Sequence, residues 1–517
     1  MKNLDNKKYK IIFFIIAISV LSVFATQADP STIRVLHIND FHGFAGPYTK
    51  LGSNEMLGGI AYLSEKANRL RAEKPSLFLA AGDMIQGNNW ANLTQGESVI
   101  ELMNLMRFDA MVVGNHEFDF GQDILKKRIA EAKCPVLGAN VEGLELLKPY
   151  VIKEADGIKI AILGVVTDET PVSTHPRNVA GLKFIPPDAA VKKYMTELRN
   201  KADIIIVLSH IGYSADRLLA EEAKGIDVIV GGHSHTKLLK PVVIGNTIIV
   251  QAWEHGKALG VLDLVIEDGK IVKFDGHLEE IKPEPDNEDR AVTGLVERYN
   301  KKIGSVLDEI IGEAAVGIDG ENVRKRETNL GDLVADIIRS TSGADAAIIN
   351  GGGIRASVSK GEIKIKDIYT VLPFDNYIVA VKLTGKQIRE ALEHGVSAVE
   401  EEAGRFPQVS DIKFTYSRSA KPGSRVKDIL IGDKPLEAGK EYIVATNDFL
   451  AAGGDGYKVF GEAVKSSKDF SITGGMMKGE KLAFSDSGRW LRDVVIGYIK
   501  EKKVISPSLE GRITEIP

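Results

Sequence analysis

Leu36-His37-Ile38-Asn39-Asp40-Phe41-His42-Gly43 begins as an apolar, strand-like run and ends in a cluster of metal-ligating side chains. Four more segments repeat the pattern. Leu77–Ala81 runs into Gly82-Asp83, and Met111–Val113 into Gly114-Asn115-His116-Glu117-Phe118-Asp119. Ile204–Leu208 runs into Ser209-His210, and Val228–Val230 into Gly231-Gly232-His233-Ser234-His235. In open α/β sheets, ligands bind beyond the carboxyl ends of the strands. Five such ends therefore converge on one point, where Asp, Asn and His side chains form the ingredients of a two-metal site for hydrolysis at phosphorus.

Working outward, the chain from Ile33 to about Glu280 alternates β-branched runs with amphipathic segments, of which Gly59–Lys74 and Ala189–Asn200 are helix candidates. That alternation predicts a layered α/β domain. Pro283 and Pro285 break it. Val292, Leu295, Val296, Tyr299, Ile303, Val306, Leu307 and Ile310 then recur at spacings of three and four. They predict one amphipathic helix, with Asp286 or Asn287 as N-cap, acting as a rigid connector. A second α/β domain follows from about Gly320, with helices over Asn329–Thr341 and Gly385–Gly395. Its strands are expected at Ala346–Ile349, Tyr377–Leu383, Ile412–Tyr416 and Tyr442–Ala445. The expected division is a leader over 1–28, a first domain over 29–285, a connector over 286–319 and a second domain over 320–517.

A chain of 517 residues exceeds one ordinary core. Lys2, Lys7, Lys8 and Lys10 precede the apolar run Ile11–Phe24, with small residues at Thr26-Gln27-Ala28. This reads as a secretory signal peptide; an uncleaved anchor is the alternative. Its loss removes four Lys and Asp5, taking the net charge from −5 to −8. That charge excludes a basic platform for nucleic-acid polymers. The single cysteine, Cys134, forms no internal disulfide, and the C-terminus has no apolar tail. The mature protein is expected to be periplasmic or secreted, free of the membrane, and a monomer or weak dimer.

The chemistry of the clusters is specific. Asp40 and His42 share a turn and can reach one ion. The two oxygens of Asp83 suit a bridge, Asn115 offers an amide oxygen, and His210, His233 and His235 offer imidazoles. Mixed N/O ligation suits Zn, Mn, Fe or Co better than Ca or Mg. His116, three residues before Asp119, is expected to carry positive charge beside the metals rather than ligate them. Each residue alone has an ordinary reading: a histidine after a strand usually packs or caps, and Asp83 could be an N-cap. Five of the ten histidines in these five clusters argue against that. His37, His175, His255, His277 and His394 are read as structural, with Trp253-Glu254-His255-Gly256 as support behind the ligands.

In the second domain, Asn350-Gly351-Gly352-Gly353-Ile354-Arg355 offers a close backbone approach and an arginine able to grip phosphate bidentately. Asn447–Tyr457 places Phe449 and Asp455 on a glycine-rich loop, where they can stack a base and bind ribose hydroxyls. Arg405-Phe406 offers a second aromatic. On the residues alone, Phe406 and Phe449 read more readily as core.

The five first-domain motifs together resemble the full motif set of the calcineurin-like metallophosphoesterases. Their order, with Asn350–Arg355, Arg405–Val409 and Asn447–Gly456, resembles the exported 5′-nucleotidase family. The resemblance implies a layered β-sandwich flanked by helices, joined by the connector helix to a nucleotide-binding α/β domain. It implies one divalent ion on Asp40, His42, Asp83 and His235, and another on Asp83, Asn115, His210 and His233. It implies His116 and Asp119 as the catalytic pair, and Arg355, Phe406, Phe449 and Asp455 as substrate-binding residues, two aromatics sandwiching the base. Asp411 departs from the glycine that many members carry, and for the further phosphate-binding arginines of some members Arg405 and Lys360 are the candidates here. The expected activity is hydrolysis of nucleoside 5′-monophosphates, with UDP-sugars or nucleoside di- and triphosphates as further substrates. The rivals are a 2′,3′-cyclic-nucleotide phosphodiesterase with 3′-nucleotidase activity, a sulfur-ester hydrolase, and an inactive nucleotide-binding surface protein.

Overall fold

The structure is a computed structural model that describes residues 30–49, 55–473 and 476–517. The expected signal peptide over 1–28 lies outside the described residues. Two six-stranded sheets face each other in the first domain. One runs Lys270–Glu280, Ala258–Glu267, Ser31–Ile38, Ser76–Ala80, Ala110–Val112, Val136–Leu137. The other runs Val242–Ile244, Thr247–Gln251, Val228–Gly231, Ile204–His210, Ile158–Val166, Tyr150–Ala155. In the first sheet the strands from Ser31–Ile38 to Val136–Leu137 run parallel, with Ala258–Glu267 and Lys270–Glu280 antiparallel on the other side; in the second sheet the four central strands are parallel and both edges antiparallel. Ile33, Val35, Leu77 and Leu79 of one sheet pack against Ile160, Ile162, Ile204 and Ile206 of the other. Both faces of the inner strands are buried, which is why these strands read as continuous apolar runs rather than alternating ones.

Helices cover the outer faces. Ile60–Glu73 and Glu97–Met106 lie on the first sheet, and Pro187–Arg199 and Tyr213–Glu222 on the second. The expected connector divides in two. Its helix is Arg290–Ile303, capped by Asp289, whose side chain accepts from the Ala291 and Val292 N–H groups. Gly304, at φ +82°, ends it, so Ile310 opens the strand Ile310–Ala314 instead of continuing the helix. Nor does the helix stand free between domains. Val292, Leu295 and Tyr299 are buried in the first domain's core, and Tyr299 Oη donates to Glu101 at 2.8 Å.

The second domain is built on a five-stranded sheet in the order Pro407–Ser410, Ala346–Asn350, Glu441–Asn447, Tyr377–Thr384, Leu482–Trp490. Asn329–Ser342 and Leu491–Lys502 pack on one face, and Gly385–Gly395 and Lys458–Lys465 on the other. Hydrogen bonds cross the seam between domains. Tyr48 Oη donates to Glu321 at 2.5 Å, and Asn89 and Asn92 donate to the carbonyls of Lys366 and Pro373 at 2.8 and 3.1 Å.

Candidate metal centre

The five motif strands end on one edge of the sandwich, and the loops after them bring the seven expected ligands together. Asp40, His42 and His235 have ligand atoms all within 4.8 Å of one another, and so do Asp83, His210 and His233. Asp83 bridges the groups: its Oδ2 lies 3.1 Å from His210 Nε2 and 3.8 Å from His42 Nε2. His235 Nε2 lies 3.3 Å from Asp40 Oδ1. Asp40, His42, Asp83, His233 and His235 all adopt left-handed backbone conformations, with φ from +50° to +75°. Such conformations cost on the order of 1 kcal/mol or more each and persist only where surroundings enforce them. The enforcement is visible. Glu117, fully buried, accepts from the N–H groups of Asp83, Met84, Ile85 and Gly114 and so ties two of the loops together. Asn39 donates to Asp40 at 2.6 Å and to the Trp253 carbonyl.

The donors suit a pair of cations. Asn115 Oδ1 is buried without a hydrogen-bond partner, and His210 Nε2 lies near Asp83 but off the line of a hydrogen bond. Burial holds His42 well below the usual imidazole range, with Arg355 acting in the same sense, and it pushes His233 down to about 3. Both therefore present neutral, ligating nitrogens. Burial opposes the charged form of His210 too, yet Asp83 overrides it and lifts His210 to about 10. The buried carboxylates thus hold positive charge at this point. Gly114 leaves room for it: a Cβ there would stand 2.2 Å from Asp83 Oδ1 and 2.7 Å from His210 Nε2. These residues fit two divalent ions.

His116 belongs to neither group. Its Nδ1 lies 2.6 Å from Asp119 Oδ2, and its backbone N–H donates to Asp83 Oδ1 at 2.9 Å. Burial works against its charged form, but Asp119 and Asp83 outweigh burial and raise its pKa.

A cleft of about 2070 Å³ opens over this floor, along the domain seam. Its second-domain wall carries Arg355, Phe449 and Asp455, and Arg355 Nη2 reaches within 3.1 Å of His42 Nε2. Asn350 donates to Asp455 at 2.6 Å, fixing the carboxylate on a residue at φ +51°. Phe406 corrects the expectation made for it. It is 0% exposed and packs beside Tyr416. The turn from Ala403 sends its ring into the core, while Gly404 and Arg405 face the cleft. Lys360 is exposed elsewhere.

Several site residues escaped the sequence reading. Arg324 lines the cleft close enough to act on both Arg355 and Asp455. His394, read as structural, lines it as well and lies 2.7 Å from the Asp455 carbonyl. Neither carries a local signal beyond its residue type. His255 forms a third candidate ligand group with His235 and Glu254. Glu254 Oε2 meets His235 Nδ1 at 2.5 Å, the support expected of that segment.

Residues 33–237 match the profile of the calcineurin-like phosphoesterase family, and residues 310–462 match that of the 5′-nucleotidase C-terminal domain. The chain is 31% identical to the 5′-nucleotidase of Homo sapiens, covering 93% of this chain and 90% of that one. It is 34% identical to a trifunctional nucleotide phosphoesterase of Bacillus subtilis, covering 94% of this chain and 35% of that much longer protein. Among solved structures, the 5′-nucleotidase precursor of Thermus thermophilus superposes with a TM-score of 0.85 at 34% identity, over 94% of this chain and 99% of that one. With both domains matched in order and the relationship running nearly end to end, the chain belongs to the 5′-nucleotidase family.

Proposed function

We propose that this protein is a metal-dependent 5′-nucleotidase that hydrolyses nucleoside 5′-monophosphates to nucleoside and phosphate. The observation that carries the reading is the pairing, across one cleft, of two ligand groups with a wall bearing Arg355, Phe449 and Asp455. Asp40, His42, Asp83 and His235 would hold one divalent ion and Asp83, Asn115, His210 and His233 another, which would supply Lewis-acid neutralisation of the phosphoryl oxygens and activation of water. In this reading Arg355 grips the phosphate, Phe449 stacks on the base and Asp455 accepts from the ribose hydroxyls. His116, kept protonated by Asp119, places positive charge against the phosphoryl group as negative charge builds there. Export to the periplasm or exterior accords with the N-terminal leader; among the described residues no helix is long and apolar enough to cross a membrane.

The test is phosphate release from AMP by purified protein, before and after chelation, beside metal analysis and a panel of 2′,3′-cyclic AMP, UDP-glucose and ATP. AMP should be the preferred substrate, with about two ions per chain and activity lost on chelation. Activity unaffected by chelators would overturn the metal reading. Preference for the cyclic ester would select the phosphodiesterase, and tight AMP binding without turnover by metal-loaded protein would make this a binding protein.

A further inference from the structure

The segment after strand Ile158–Val166 touches three parts of the site within a short stretch. It starts at the metal centre, where the Thr167 N–H donates to the His210 carbonyl at 2.9 Å. It then forms the short helix Thr170–Ser173, which packs against Gly454–Gly456, the loop that carries Asp455. Next comes Thr174, whose side chain is buried at 1% exposure and whose Oγ1 donates to Asp119 Oδ1 at 2.6 Å. Asn178 closes the segment by donating to the Asp119 carbonyl at 2.8 Å. Between them His175 Nε2 lies 3.6 Å from Asp448 Oδ2, a buried oxygen of the second domain with no hydrogen-bond partner.

We propose that Thr174 is a positioning residue for the His116–Asp119 pair, presented by a segment seated on the nucleotide loop of the other domain. The chemistry is that of a fixed carboxylate. Asp119 has two oxygens; Oδ2 faces His116 Nδ1 and Oδ1 is free to swing unless something holds it. Thr174 holds it with a hydroxyl donor that is itself locked by burial, and Asn178 pins the backbone of the same residue. With both oxygens committed, Asp119 can present Oδ2 in one plane only, and the imidazole of His116 takes its orientation from that plane. A hydroxyl is required because the group it meets is an acceptor, and a donor to a charged acceptor is among the stronger side-chain hydrogen bonds. Thr174 lines the cleft, but its hydroxyl is committed to Asp119, and it acts through that residue.

This inference rests on the reading of His116 and Asp119 as the pair that stabilises the transition state. Its test uses full-length, metal-loaded protein and the variants Thr174→Val, which keeps the shape and removes the hydroxyl, and Thr174→Ser, which keeps the hydroxyl. Thr174→Val should lower kcat about tenfold, equally for AMP and for bis(p-nitrophenyl) phosphate. KM for AMP, metal content and melting temperature should hold. Thr174→Ser should recover most of the rate, and in an Asp119→Asn background Thr174→Val should cost nothing further. Wild-type kcat in Thr174→Val, failure of Thr174→Ser to recover, or an equal loss in the Asp119→Asn background would overturn the proposal. Wild-type kcat in Asp119→Asn alone would instead overturn the reading beneath it, and the proposal with it.

Discussion

His116 stands beside both ligand groups without joining either, and that position makes a sharp expectation at the residue scale. His116→Ala should lower kcat by roughly 10²–10⁴-fold while metal content stays at its wild-type value. Loss of an ion would instead make His116 a ligand. The placement of residues such as His116 was legible because each lies in an unbroken motif at a strand end, where one strand direction brings every cluster to the same edge. Phe406, core on its residues alone, was given to the base only by the resemblance, and a motif match does not tell which of two neighbours faces a cleft. Arg405 and Phe406 alternate sides, and the turn at Ala403 gives the cleft to Arg405. Thr174 and Arg324 were missed for a different reason. Each meets its partners through contacts dozens of residues distant, as Thr174 meets Asp119, and no spacing rule reports such pairs.

At the scale of elements, helix Asn329–Ser342 and the C-terminal strand Ile513–Ile516 are joined by buried charge. Arg512 donates to Asp336 at 2.8 Å, and its Nε lies 3.8 Å from Asp332 Oδ1. Glu327 accepts from the N–H groups of Glu510, Gly511 and Ile513. Burial, with the Glu327 carboxylate adding to it against the pull of Arg512, pushes Asp332 up to about 8. The folded protein therefore holds a proton that the unfolded chain releases near 3.8, and Asp332 makes stability fall as pH rises between these values. Urea unfolding at about pH 5, 7 and 9 should show that fall, and Asp332→Asn should flatten it; an unchanged slope would remove Asp332 as its source. Elements of this kind were well marked in the sequence. Gly385–Gly395 runs between the bounds its periodicity predicts, and Asn329–Ser342 overshoots by one residue. The connector was overextended because apolar spacing of three and four survives past Gly304, whose backbone at φ +82° turns the chain out of the helix.

Taken whole, the molecule builds the floor of the cleft from one domain and sets Phe449 on the other. Stacking a base on an aromatic ring is worth about 1–3 kcal/mol, or roughly 5- to 150-fold in binding. Phe449→Ala should lower kcat/KM for AMP by a factor in that range and leave bis(p-nitrophenyl) phosphate, which needs the floor alone, nearly untouched. Equal losses for both substrates would give Phe449 a role in the fold instead. The two-domain plan was visible in the sequence; the seam was not, since contacts such as Tyr48 to Glu321 join residues with no motif of their own. The order of strands bears also on how the chain comes into being. Ser31–Ile38 pairs on one side with Ser76–Ala80 and on the other with Ala258–Glu267, far later in the chain. A ribosome therefore releases the first strand long before its antiparallel neighbour exists, and one hydrogen-bonding edge stays open throughout that interval. The ligands are dispersed over the same stretch, from Asp40 to His235. Until His233 has been synthesised the nascent polypeptide owns no complete cradle for either ion, and the other cradle waits for His235, so metal loading waits for a nearly finished first domain.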